Sequence, residues 1–237
     1  TSQRRKLEED LAWFDKYLFK RSSEDSLLKS SAPLAMALKA RDFAHSGRLY
    51  GQLVKGVLVP EIVKYGKLEV GRFEVTRAQF AAFDKSYVIE PGTENFPANK
   101  VTYERALAYC KWLSGILGES VSLPNASEVA ALYDEGSDLE NTLDYWAGFK
   151  INPEDEIRIR QKAGQLGGDS PLLKEVGSLH GVGDGSVFDL GGNVAEWVTG
   201  ANGGTVAGAS ADKGADKKNA ARTGNPGYVG FRVIRRK

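Results

Sequence analysis

Apolar residues recur at helical spacing at the start of the chain. Leu7, Leu11, Phe14 and Leu18, with Trp13 and Tyr17 adding bulk, predict an amphipathic helix from about Ser2 to Lys20, whose apolar face needs a partner. Ser22 to Ser31 is polar and serine-rich, which suits a linker, and a second helical stretch runs from Pro33 to about Ser46. Tyr50 to Pro60 is rich in β-formers (Leu53, Val54, Val57, Leu58, Val59) and reads as extended until the proline. From Tyr65 to Val75 the pattern alternates through Leu68, Val70, Phe73 and Val75, predicting a strand. Thr76 with Gln79 three residues on is a capping-box pattern for a helix over Ala78 to Ser86. Thr102 caps a longer helix to Leu117, carrying Ala106, Tyr109, Trp112 and Leu113 on broad apolar faces. Ser122-Leu123-Pro124-Asn125 then stops, turns and starts a third helix through Glu128 to Tyr133.

The 237 residues give room for one large domain with an appendage. Glycine, 27 residues in all and densest after Gly164, implies a second half held by turns. With 32 Lys+Arg against 31 Asp+Glu, no global field recruits nucleic acid or an anionic membrane, and the basic runs at the two ends read as solvated. No apolar run approaches the roughly 20 residues that a membrane span needs. Thr1 opens a polar stretch without a signal-peptide core, so the sequence reads as a piece of a longer chain. The single cysteine, Cys110, excludes an internal disulfide and any multi-cysteine metal site.

Four blocks, in order, resemble the formylglycine-generating-enzyme (sulfatase-modifying factor) family. Gly71-Arg72-Phe73-Glu74-Val75-Thr76-Arg77-Ala78-Gln79-Phe80 is similar to its strand-then-helix opening. Phe96-Pro97, Val101-Thr102-Tyr103 and Ala106 to Ser114 resemble its "VSWxxAxxYCxWLS" block. Leu123-Pro124-Asn125-Ala126-Ser127-Glu128 is a weakened "RLPTEAEWE". Gly192-Asn193-Val194-Ala195-Glu196-Trp197 and Gly230-Phe231-Arg232 match its closing signatures. The resemblance spans about Pro60 to Arg235. It implies an α+β, C-type-lectin-like fold, loop-rich, with short twisted antiparallel strands and two to three helices, over residues 47–237. Residues 1–46 form an N-terminal helical segment and linker. There, Asp10 to Phe19 resembles the last helix of a prolyl-oligopeptidase-type α/β-hydrolase, which implies an upstream serine peptidase in the same polypeptide. The family resemblance also suggests an extracytoplasmic or periplasmic location.

Asn193 and Glu196 sit three residues apart beside glycine carbonyls, an all-oxygen set of the kind Ca²⁺ accepts. By resemblance, Asn193 and Glu196 would supply side-chain ligands, with carbonyls from Gly191 or Gly192 and Val194. The alternative is that Asn193 caps a turn and Glu196 makes a buried pair with a group such as Arg232. A second calcium site of the family falls near Asp144 to Asp155, where the motif is too degraded to assign ligands. Family enzymes hold Cu(I) with two cysteines in the loop before the final "GFR" and oxidise a substrate cysteine. Here Gly208 and a residue near Lys213 or Gly214 stand where those thiols would be, so no copper is expected. Cys110 lies in a predicted helix and reads as inert.

Other chemistry is poorly supplied. His180 has Ser178, Asp184 and Ser186 nearby, but no serine carries a nucleophile-elbow pattern, and His45 with His180 cannot build a histidine triad for iron. No catalytic residue is assigned. The sequence reads best as a non-catalytic binding or interaction module appended to an enzyme, presenting Gly200 to Gly227 to a protein or small-molecule ligand. Its polar candidates are Asn202, Asp212, Lys213, Asp216, Lys217, Lys218, Asn219 and Arg222. Two alternatives stay open. One is altered oxidoreductase-like chemistry in the same cleft through Asp212, Asp216 or Glu196. The other is a variable ligand-binding protein of a diversity-generating system, since small and polar residues dominate Thr199 to Asn225.

Overall fold

The computed structural model describes residues 48–136, 141–183, 186–213 and 225–236. The two N-terminal helical expectations, the linker and the hydrolase-like segment lie outside the described residues.

The extended stretch from Tyr50 to Pro60 is folded in two. Strands β1 (Gln52–Val54) and β2 (Val57–Val59) pair antiparallel, Gln52 opposite Val59, around Lys55-Gly56. Both turn residues take positive φ (50° and 77°), the demand of a tight hairpin turn whose twist matches its strands. The next alternating run also divides, into β3 (Ile62–Tyr65) and β4 (Leu68–Gly71) around Gly66-Lys67. Strand β4 stops at Gly71, short of Val75. The backbone there leaves the ladder for Arg232: Gly71 and Arg72 give their carbonyls to its guanidinium. Phe73 and Val75 stay buried without being in a strand.

Helix α1 (Arg77–Phe83) starts on the expected capping box, with Thr76 accepting from Gln79 N–H and Gln79 reaching back to Thr76 N–H. It ends at Asp84, whose carboxylate turns to Ser86 and Arg105. Helix α2 (Tyr103–Leu117) is capped by Thr102 and closed by Gly118 in the left-handed region. Strand β5 (Ser120–Ser122) follows, and α3 (Ala126–Glu135) begins on a second capping box, Asn125 with Glu128. Two helices were not expected: α4 (Leu143–Ala147) and α5 (Pro153–Gly164). Among the described residues there are therefore five α-helices, not two to three.

Past α5 the chain is mostly turns, with short strands β6 (Gly181–Val182) and β7 (Val187–Phe188), the hairpin β8 (Ala195–Gly200) and β9 (Gly203–Ala207), then β10 (Val229–Gly230) and β11 (Ile234–Arg236). The main sheet runs β3-β4-β11-β5, all antiparallel, so β11 is an inner strand. A second sheet runs β10-β8-β9, in which β10 lies parallel to β8. Phe80, Tyr109 and Phe231 pack between α1, α2 and the C-terminal segment with ring centroids 5.3–5.9 Å apart. A smaller core of Val70, Val129, Leu132, Leu190, Val198 and Ile234 joins α3 to both sheets. The result is the expected α+β fold with short strands and long irregular connections. Among the described residues no helix is long and apolar enough to cross a membrane.

Candidate functional site

The segment Phe188 to Val194 forms a buried turn whose Asp189 and Asn193 side chains bond mainly the protein's own backbone. Asp189 and Asn193 both sit in the left-handed region (φ 65° and 66°), where short polar side chains that bond locally are tolerated. Asp189 accepts from the backbone N–H groups of Gly177 (2.5 Å) and Leu179 (3.0 Å). Asn193 Oδ1 accepts from Lys174 N–H (3.0 Å) and Asn141 Nδ2 (3.3 Å), while its Nδ2 donates to Lys174 carbonyl (3.3 Å). These bonds hold the strandless stretch 172–179, whose backbone groups would otherwise be buried without partners. Between the two residues, Gly192 lies flat against the backbone of Asn141.

Strand β8 carries Glu196 inward to Arg232, and both side chains are buried. Glu196 Oε1 accepts from Arg232 Nη2 (2.8 Å) and Nε (3.2 Å), and Glu196 Oε2 accepts from Tyr133 OH (2.6 Å) and Nε (3.1 Å). Arg232 also donates to the carbonyls of Gly71, Arg72 and Phe188 (2.7–2.9 Å), so all five of its N–H donors are placed. The surrounding carboxylates hold its pKa above the ordinary guanidinium value, despite burial.

Glu74 completes this network from the segment between β4 and α1. Its Oε1 accepts from Asn193 Nδ2 (3.4 Å), but its Oε2 meets no N–H or O–H donor among the described residues. Burial, then the neighbouring Asp189 carboxylate, pushes its pKa well above the usual carboxylate range. A carboxyl raised in this way stabilises the fold while protonated. That contribution is full below the unfolded pKa near 4.5 and is lost as pH rises toward the folded value. Glu74→Gln keeps the shape and removes the titration. Its stability relative to the parent is expected to rise as pH increases above about 5, by up to about 1.4 kcal/mol per pH unit, in urea melts over a pH series. A constant difference at every pH would show that Glu74 is charged when folded.

The two side-chain groups expected to bind calcium are thus turned toward donors. Asn193 Oδ1 faces two N–H groups, and Glu196 faces a guanidinium and a phenol. Gly191, Gly192 and Val194 are buried in the same turn. Among the described residues no three acidic, histidine or cysteine side chains converge as a metal set. As arranged, these side chains do not fit a cation: it would have to displace Arg232 to reach Glu196. The pair of Glu196 with Arg232 is the arrangement observed.

The loop candidates separate. Asn202 is exposed at the tip of the β8–β9 hairpin. Asp212 is buried: Arg160 of α5 bonds its Oδ1 (3.1 Å) and its carbonyl (2.8 Å), and burial raises its pKa. Lys213 is partly buried, and its carbonyl accepts from Leu143 N–H. Asp216, Lys217, Lys218, Asn219 and Arg222 lie outside the described residues. Gly208, where one thiol would stand, has φ 81° and packs on Tyr133: a Cβ there would lie 2.9 Å from the ring. Cys110 is buried in α2, and burial pushes its thiol up to about 12, which keeps it protonated.

The sequence did not point to a cluster at α4. Tyr145 and Phe149 are each 54 % exposed and Trp146 is 39 % exposed, large apolar groups that the fold leaves open. The Tyr145 and Trp146 rings stand nearly perpendicular (89°, centroids 5.6 Å apart). The Lys174 ammonium lies 4.6 Å from the Tyr145 centroid and 5.7 Å from that of Trp146. Trp146 Nε1 donates to Asn141 Oδ1 (2.7 Å), and Asn141 is fully buried. The available signal was Thr142, which caps α4, before a Tyr-Trp pair.

Residues 59–237 match the model of the sulfatase-modifying factor enzyme 1-like domain. No curated protein matches the chain. Among solved structures, PvdO from Pseudomonas aeruginosa is similar at 18% identity, covering 78% of this chain and 86% of its own, with a TM-score of 0.45. Treponema denticola variable protein 1 is similar at 17% identity, with 76% and 93% covered and a TM-score of 0.45. CarF is similar at 16% identity, with 80% and 97% covered and a TM-score of 0.42. With the first and last sequence blocks meeting at one buried ionic core, and residues 59–237 matching its model, the chain belongs to the family of sulfatase-modifying factor enzyme 1-like domains.

Proposed function

We propose that this domain is a non-catalytic binding module that keeps the family scaffold without its thiol chemistry. The observation that carries this is the state of the one thiol in the sequence, since Cys110 is buried among aromatic rings with a raised pKa and has no second cysteine to share a metal. Soft-metal oxidation of a substrate cysteine needs thiolate ligands at an open site. The polar residues of the signature turn support the same conclusion, because each bonds a group of the protein itself. Among the described residues, the β8–β9 tip with Asn202 and the open aromatic cluster of α4 are two surfaces that a partner could meet. Incubation with Cu(I), O₂ and a cysteine peptide of sulfatase type, followed by an aldehyde-specific hydrazide probe, is expected to give no label above a peptide-only control. Aldehyde formation would overturn the proposal.

A further inference from the structure

The signature turn also builds something on the surface. Asn193 clamps Lys174 through both its N–H and its carbonyl, and it bonds Asn141, whose Oδ1 in turn holds the Trp146 indole. Two buried amides thus fix the backbone under Lys174 and one wall of the aromatic corner above it.

We propose that the corner formed by Tyr145 and Trp146 is a recognition site for a substituted ammonium group, and that Lys174 occupies it in cis. Two π faces at right angles give a cation two attractive surfaces at once, and the Lys174 ammonium lies within about 6 Å of both centroids, the range of such contacts. The half-exposed rings can be reached from solvent. Asn193 holds the Lys174 backbone, so the ammonium reaches the corner on a four-carbon stem with several rotatable bonds. A primary ammonium is strongly hydrated and leaves water reluctantly. A quaternary or methylated ammonium is less so, and is the cation that aromatic corners favour.

This deepens the binding-module proposal and rests on it, but the test is separate, since aldehyde chemistry does not read the state of Trp146. The full chain with ¹⁵N-labelled indoles is titrated with tetramethylammonium chloride against sodium chloride at equal ionic strength. Trp146→Phe assigns the Trp146 signal among the four tryptophans. In Lys174→Ala the Trp146 indole signal is expected to move saturably, with binding about three- to tenfold tighter than in the parent, because the resident cation is gone. Tyr145→Ala in the same background is expected to abolish the effect. Unmoved signals from the other tryptophans report an intact fold, and Lys174→Gln repeats the comparison with a stem of similar length. The absence of saturation in both Lys174 variants, or equal affinity in parent and variants, would overturn the site.

Discussion

Arg232→Met is expected to destabilise the domain by about 3–5 kcal/mol, a fall of roughly 6–20 °C in Tm by circular dichroism. The size follows from what is stranded. Arg232 is the counter-charge for buried Glu196, and three backbone carbonyls depend on it as well. Removing one partner of a buried pair leaves the other uncompensated, which costs far more than the pair itself contributes. Arg232→Met/Glu196→Met is therefore expected to recover part of the loss. The same melts test whether an ion shares the load. Calcium at about a hundredfold its Kd would raise Tm by about 5–10 °C, whereas the arrangement around Glu196 leads us to expect no shift with millimolar calcium or chelator. A calcium-dependent rise would place a cation in the network after all.

Gly192→Ala is expected to cost about 3 kcal/mol, or roughly 6–12 °C. A Cβ at this position would lie 2.6 Å from the Asn141 carbonyl carbon and closer still to its oxygen, against backbone that cannot rotate away. Moving Asn141 would also strain the Asn193 N–H bond to that carbonyl (3.1 Å) and the side-chain link to Trp146. Gly115→Ala gives the contrast, because its Cβ meets nothing within 4 Å on the exposed side of α2. That change is expected to stabilise by up to about 1 kcal/mol through helix propensity. If both substitutions were neutral, the close approach at Gly192 would be relaxed in solution.

Local rules reached some of these elements and not others. Thr76 with Gln79 was legible because a cap is a short-range bargain between residues three apart, and the start of α3 after Pro124-Asn125 was legible from its turn residues. The Lys55-Gly56 turn was hidden in a run of β-formers, since lysine does not advertise positive φ. Helix α5 carried its own start signal, Asn152 as cap, Pro153 at the first position and three acids after it, but glycine density in that half masked it. At the site, the family blocks foretold the buried Glu196 and Arg232 as neighbours only as one of two alternatives. Asp212 was a candidate for the presented loop, and its part-buried bond to Arg160 spans 52 residues. The Tyr145–Trp146 corner depends on Asn141 and Asn193, also 52 residues apart, and no local window contains both.

The inner place of β11 has a consequence for how the domain comes into being. Its two neighbours in the sheet are β4, some 160 residues earlier, and β5, more than 110 residues earlier. Until Ile234–Arg236 has been synthesised and docked, β4 and β5 each present an open edge to other chains. Such long-range closure is slow, so the nascent domain must wait, half-assembled, for its final strand.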